Sequence, residues 1–343
     1  MFLYSTCIRR YSGNKLIVVH GSYFNKKGDE KEMKAILIEQ YGSKDELKER
    51  QIPKPVPKEG EVQIEMHATS INPIDWKLRE GHLKEMLPFQ FPIILGWDAA
   101  GIVSEVGPNV SSVSVGDRVF VRPETTSEGT YAEYIVTKEH LLANIPDNIS
   151  FEEAAAVPLA GLTAYQCLVD FVQLQAEDKV LLHAGSGGVG SLGIQIAKSL
   201  GCFVATTGSS KNEGFLKSLG ADIVIKYDQQ DFVKELSNYD LVVDTLGGEI
   251  QNKSFHVLKK GGTLVSVVQP PNEKMAEEMG ITAKFHWLIP NGQQLKKLAE
   301  LMAQGKVKPV VGNVFDFTEQ GLKDAHTLSE THHAKGKIVI KIK

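Results

Sequence analysis

The chain has 343 residues, room for about two domains with a sizeable core, and its 38 basic and 42 acidic residues leave a net charge of -4 at pH 7. The two signs are mixed along the chain, which excludes the one-sign footprint of a nucleic-acid or membrane-surface binder, and no apolar run approaches the roughly 18 to 20 residues that span a bilayer. Cys7, Cys167 and Cys202 are too widely spaced for a disulfide framework or a C-x-x-C pair, as in a reducing, cytoplasmic protein whose partners are small molecules.

In chain order, residues 1–32 show no sustained period. Arg9, Arg10, Lys15, Lys26 and Lys27 precede the first acid, Asp29, the charge order of a targeting peptide, but no amphipathic helix accompanies them. The first clean strand opens at Met33, so 1–32 is expected to be a mis-called start or a disordered tail. From 33 to 150, short β segments alternate with glycine and proline. Val62, Ile64, Met66 and Ala68 lie on one face of a strand at 61–70, and further strands are expected at 99–106, 118–121 and 131–136. Many short strands predict a small barrel.

After Phe151 helix and strand alternate. Helices are expected at 152–159 and 163–171, and strands at 203–207, 223–225, 241–244, 263–268 and 282–288, with helices between them. That alternation predicts a right-handed, doubly wound parallel sheet. The tail adds helices at 293–304 and 319–328 and a last strand at 337–342.

Residues 178–201 carry the strongest local signal. Val180 to His183 form a short buried strand. Gly185, Gly187 and Gly190 follow in G-x-G-x-x-G spacing, and Val189, Leu192, Ile196 and Leu200 then share a helical face. The glycines allow a sharp turn and close approach to a pyrophosphate, while the helix N-terminus favours the anion. The binding stretch is thus Gly185, Ser186, Gly187, Gly188, Val189 and Gly190. About 20 residues on, where an NAD-selective fold places an acid, the chain reads TTGSSK at 206–211. Ser209 and Lys211 are suited to a 2'-phosphate, which points to NADPH. An aspartate in place of Thr207 is expected to turn the preference towards NADH.

The stretches 72–77 (NPIDWK), 96–101 (GWDAAG), 116–119 (GDRV), 129–134 (GTYAEY), 159–165 (LAGLTAY) and 334–337 (AKGK), with the glycine loop, resemble the zinc-free quinone oxidoreductase, or zeta-crystallin-like, branch of the medium-chain dehydrogenase/reductase superfamily. The resemblance covers 33–343. It implies an α/β protein with a GroES-like β-barrel catalytic domain (33–150 and 305–343) and a Rossmann domain (151–304) with a doubly wound parallel sheet. Zinc-dependent relatives have a cysteine near position 72 and a G-H-E triplet where Gly96, Trp97 and Asp98 stand. No metal site is therefore expected, since tryptophan is no ligand and the cysteines lie elsewhere.

Without a Lewis acid, the substrate must itself spread the incoming charge, as a quinone or an α,β-unsaturated carbonyl does. The resemblance places Asn72, Asp75 and Lys77 beside the nicotinamide, with Lys77 as donor to the developing oxyanion or as proton source and Asn72 as a positioning group. It also implies Tyr227 at the 2'-phosphate, Leu246 and Gly247 at the nicotinamide side, His333 and Lys337 as late cofactor contacts, and a homodimer. His183 is expected to make a structural hydrogen bond. An enoyl-thioester reductase of the same fold and a non-catalytic NADPH-binding protein remain as alternatives.

Overall fold

Alternation of apolar and polar side chains organises the first half of the computed structural model, which describes residues 31–343. The expectation for 1–32 lies outside the described residues except at its end, where Glu32 already belongs to a strand. Strand β1 (Glu32–Ile38) pairs antiparallel with β2 (Lys48–Pro53). In β3 (Glu61–Ile71), Val62, Ile64, Met66 and Ala68 form the expected buried face. Helix α1 (Pro73–Arg79) starts at once, with Asn72 as N-cap and Pro73 in the first turn, where a missing N–H costs nothing. Strands β4 (Ile93–Ile94), β5 (Ala99–Val106), β6 (Arg118–Val121), β7 (Tyr134–Lys138) and β8 (Leu142–Asn144) follow. The strand expected at 131–136 begins later because Tyr131 bonds instead to Leu95 and Ile36 through its backbone.

The expected pair of alanine-rich helices is cut differently. Helix α2 (Phe151–Ala155) stops early and α3 (Pro158–Val169) begins at a proline, which opens a helix readily and cannot continue one. Then come β9 (Lys179–Leu182), α4 (Gly188–Ser199), β10 (Phe203–Gly208), α5 (Glu213–Ser218), β11 (Ile223–Lys226), α6 (Phe232–Glu235), β12 (Tyr239–Asp244), α7 (Gly248–Ser254), β13 (Leu258–Ser266), α8 (Glu273–Met279) and β14 (Thr282–Phe285). These six strands make an all-parallel sheet in the order β11-β10-β9-β12-β13-β14. The order reverses between β9 and β12, so a crevice opens at their carboxyl ends, where ligands of such sheets bind. Strand β14 ends at Phe285, before the expected Leu288, and His286 to Leu288 turn into that crevice.

The tail supplies α9 (Gly292–Ala303), β15 (Val311–Asp316), α10 (Glu319–Glu330) and β16 (Lys337–Lys341). Strand β16 returns to pair antiparallel with β3, giving a second sheet, β15-β16-β3-β5-β6-β8, with β7 on β3. One apolar core runs through both sheets, from Ala68, Ala100 and Phe120 through Ala154 to Val180 and Val243. Among the described residues no helix is long and apolar enough to cross a membrane.

Gly101 shows how tightly β5 is seated. A Cβ there would lie 2.0 Å from the Glu65 carbonyl oxygen. Gly101→Ala should lower the unfolding free energy by about 2–3 kcal/mol in urea titrations. Gly214→Ala in α5, where a Cβ meets nothing within 4 Å, should instead raise it by about 0.5–1 kcal/mol.

Candidate active site

The floor of the crevice is a buried polar cluster around Asp98. Its Oδ2 accepts from Ser70 Oγ at 2.5 Å, Asn72 Nδ2 at 2.6 Å and Lys337 Nζ at 3.3 Å, and its Oδ1 accepts from the Leu159 N–H at 2.6 Å. The last donor lies in the first turn of α3, where a carboxylate also meets the helix dipole. Lys337 Nζ further donates to the Ile71 carbonyl at 2.8 Å and to Asn72 Oδ1. These three acceptors match the three donors of an ammonium. The structure thus gives Lys337 another place than a cofactor contact, beneath the glycine turn, where its stem lies 2.6 Å from a Cβ built on Gly188. Asn72 lines the crevice, but both ends of its amide are engaged in holding the floor.

Asp75, unlike Asn72, does not line the crevice. It is fully buried and closes a capping box, with Oδ2 accepting from the Asn72 N–H and from Tyr131 OH, both at 2.8 Å. An N-x-x-D spacing ahead of a helix aims the third residue back at the cap, a signal present in the sequence. Burial raises the Asp75 pKa to about 7. The network continues inward: Tyr131 OH meets His326 Nε2 at 3.1 Å, and Arg79 Nη1 donates to His326 Nδ1 at 2.9 Å. Burial and the neighbouring Arg79 push His326 down to about 3, so its ring is neutral and Nε2–H faces the tyrosine.

Lys77 does reach the crevice, half-buried, with Nζ 5.7 Å from the Trp76 ring centre. Desolvation lowers its pKa. The crevice encloses about 650 Å³ and is lined mainly by apolar groups, with Lys77 and Arg122 as its cations and no carboxylate. Leu246, Val189 and Thr163 face it from the parallel sheet and its helices. His332, at φ 59°, turns in beside Trp76, whereas His333 stays exposed and does not line it. Gly247, at φ 74°, opens α7 next to Leu246, and the N–H groups of both donate to Asp244.

At the glycine loop, a Cβ on Gly185 would stand 2.1 Å from Thr206 Oγ1, and one on Gly190 2.5 Å from the Ala184 carbonyl. Packing demands glycine at both. Gly187 differs, since its nearest neighbour is 3.5 Å away; its bareness leaves the start of α4 open to a ligand. No side chain caps that helix, so the first-turn N–H groups remain for an anion. The returning tail braces the loop, with Gly336 N–H donating to Ser186 O at 2.7 Å and Gly336 bridging to Gly187. These features fit a bound dinucleotide.

Beyond β10, Ser209, Lys211 and Tyr227 stand together at the surface, the last drawn in by its N–H bond to Gly208 O at 3.1 Å. Ser210 is engaged with Asp228 through its N–H at 2.9 Å and its hydroxyl at 2.6 Å. Thr207 is buried, with Oγ1 accepting from the Ala184 N–H at 3.1 Å and 3.2 Å from His183 Nδ1. An aspartate there would enter the core beside His183, so the expected switch of coenzyme at Thr207 does not follow. His183 makes the structural bonds expected of it, the second to Ser254 Oγ at 2.8 Å. Among the described residues, no three His, Cys, Asp or Glu side chains converge as a metal site would require.

The raised pKa of Asp75 fixes a sign. Between its unfolded value of 3.8 and about 7, the unfolded chain has lost the proton and the folded one keeps it, so this residue makes stability fall as pH rises through that window. The Asp75→Asn variant should therefore gain on the wild type from pH 4 to 7, by no more than about 1.4 kcal/mol per pH unit, and level off above it. Denaturant titrations of both proteins at each pH measure the difference.

Similarity to known proteins agrees with this architecture. The alcohol dehydrogenase GroES-like domain family matches residues 58–147, and the family described as zinc-binding dehydrogenase matches 219–340. The chain is 38% identical over 323 residues to the chloroplastic NADPH-dependent alkenal/one oxidoreductase of Arabidopsis thaliana, covering 90% of this chain and 80% of that one. A quinone oxidoreductase structure from Coxiella burnetii superposes with a TM-score of 0.83 at 36% identity, over 91% of this chain and all of that one. A mycobacterial structure complexed with NADPH gives a TM-score of 0.81 at 28% identity, over 90% of this chain and 100% of that one. With Asn72, Trp97 and Asp98 standing where zinc-dependent members carry their ligand motifs, the chain belongs to the zinc-free quinone oxidoreductase branch of the medium-chain dehydrogenase/reductase superfamily.

Proposed function

We propose that this protein is an oxidoreductase that reduces quinones or α,β-unsaturated carbonyls with NADPH. The observation that carries the reading is an apolar crevice, lined by cations and free of carboxylates, that opens beside an uncapped glycine loop. NADPH, when bound, supplies a hydride. The loop from Gly185 to Gly190 holds the pyrophosphate through backbone N–H groups, Leu246 and Gly247 flank the nicotinamide side, and Ser209, Lys211 and Tyr227 receive the 2'-phosphate. Lys77 donates a proton to the reduced substrate. Its lowered pKa suits that task, because a desolvated ammonium releases its proton more readily.

An α,β-unsaturated carbonyl or quinone suits such a site because the charge it gains spreads onto oxygen, where a few fixed donors suffice. In this reading 151–304 is the cofactor domain, and 33–150 with 305–343 the catalytic one. The protein is a cytoplasmic homodimer. Strand β14 is an open sheet edge flanked by the exposed Phe285, Trp287 and Ile289, an arrangement that a second copy would cover.

NADPH oxidation with quinones, enals, enones and enoyl-CoA esters, ranked by kcat/KM, tests the reading. Quinones or enones should lead; a preference for the thioesters would make the protein an enoyl-thioester reductase, and no turnover at all a cofactor-binding protein. Lys211→Ala should raise the KM for NADPH about ten- to a hundredfold, from one lost charge-assisted bond. Its kcat should hold, because the phosphate is remote from the reacting carbon. An unchanged KM would place the 2'-phosphate elsewhere.

A further inference from the structure

Arg122 has no assigned task in the chemistry so far. It follows directly on β6, and the pairing of Ala99 with Val121 sets it opposite Asp98 on the neighbouring strand. Its side chain is 2% exposed and lines the crevice. One guanidinium N–H group, at Nη1, donates to the Pro123 carbonyl. The Nε is buried with no partner. Among the described residues no carboxylate lies within ion-pair distance of it.

Charge counting makes this cation conspicuous. Asp98 already accepts from four donors and is balanced by Lys337 at 3.3 Å. Asp75, the other nearby acid, accepts from Tyr131 and the Asn72 N–H through Oδ2, leaves its buried Oδ1 without a partner, and sits near half-protonation at neutral pH. With Lys337 and Arg122 set against Asp98 and a partly ionised Asp75, the cluster keeps a net positive charge in the crevice wall. Desolvation lowers the Arg122 pKa only to about 10, so the group stays charged at neutral pH, unlike a lysine that exchanges its proton. A buried cation with an unmet N–H, in a cavity without acids, is a site for negative charge.

We propose that Arg122 is a catalytic residue that holds the oxygen on which negative charge develops during reduction of the carbonyl acceptor. This rests on the reductase reading and assigns the place in that site which the substrate oxygen takes. For an enone, a hydride from NADPH adds to the β-carbon, the C=C electron pair shifts, and the carbonyl oxygen becomes an enolate that the free guanidinium N–H groups bind. A proton from Lys77 then reaches the α-carbon, leaving a saturated carbonyl and NADP+. For a quinone, the same two electrons and two protons give the hydroquinone. Arg122 keeps its proton throughout, and Lys77 gives one up.

Arg122→Gln tests this, with 4-nitrophenol as a probe of the oxygen site in the protein loaded with NADP+. In the wild type the probe should bind as phenolate, read by its absorbance, with its pKa about one to three units below the free value. In the variant that shift should shrink by one unit or more, and kcat for an enone should fall about 10²- to 10³-fold, the usual loss for one oxyanion donor. The affinity for NADPH, followed by fluorescence, should stay within about threefold, since the proposal places the residue at the acceptor. A normal phenolate shift in the variant, a fall in kcat under about threefold, or NADPH binding lost in parallel would each overturn the assignment. Should Arg122→Gln fail to fold, Arg122→Lys keeps the charge, and it should retain most of the phenolate shift but not the full rate; loss of the shift there would equally overturn it. If the wild type reduces no acceptor, the reductase reading fails, while the phenolate titration still reports on Arg122.

Discussion

The fold and the site both depend on one buried carboxylate. Asp98 joins the end of β3, the cap of α1, the first turn of α3 and the start of β16 through three short hydrogen bonds and a longer one to Lys337. Three of these elements belong to the antiparallel-sheet half of the fold, and the fourth, α3, packs against α4 beside the parallel sheet. A carboxylate in an apolar interior is tolerable only when its lone pairs are filled and a cation is near. Both conditions are met here by groups far apart in the chain. The floor of the crevice is thus held by a group that need not touch a substrate.

This arrangement explains why the zinc-free branch can keep the frame of its metal-dependent relatives. A polar floor of amide, carboxylate and ammonium replaces a ligand set, and the indole of Trp97 is packed into the apolar core behind it. The cation at the crevice wall is then organic. It is fixed by the register of β5 against β6 and needs no ligand exchange.

Much of the frame was legible in the sequence because periodicity and glycine punctuation are local. The glycine loop, the order of strands and helices after Phe151, and the buried face of β3 all follow from spacing. The direction of side chains did not follow. Lys337 belongs to a motif of the resemblance, yet only the pairing of β16 with β3 shows that its ammonium turns to Asp98. That His332 rather than His333 lines the crevice follows from a left-handed residue that no pattern announces. Thr207 lies one residue before the end of β10, a strand buried on both faces, and the sequence alone does not tell that its side chain is still inside. Asp75 was the avoidable miss, since its capping spacing was on view. Arg122 carries no motif, and its meaning depends on the residue across the ladder, a relation that exists only after folding.

The bridge between Gly187 and Gly336 joins distant parts of the chain. The phosphate loop lies near the middle of the sequence, but the strut that steadies it arrives with the last turn before β16. The phosphate loop is therefore braced only when a segment about 150 residues further along the chain has docked on it, a long loop closure on which the site depends.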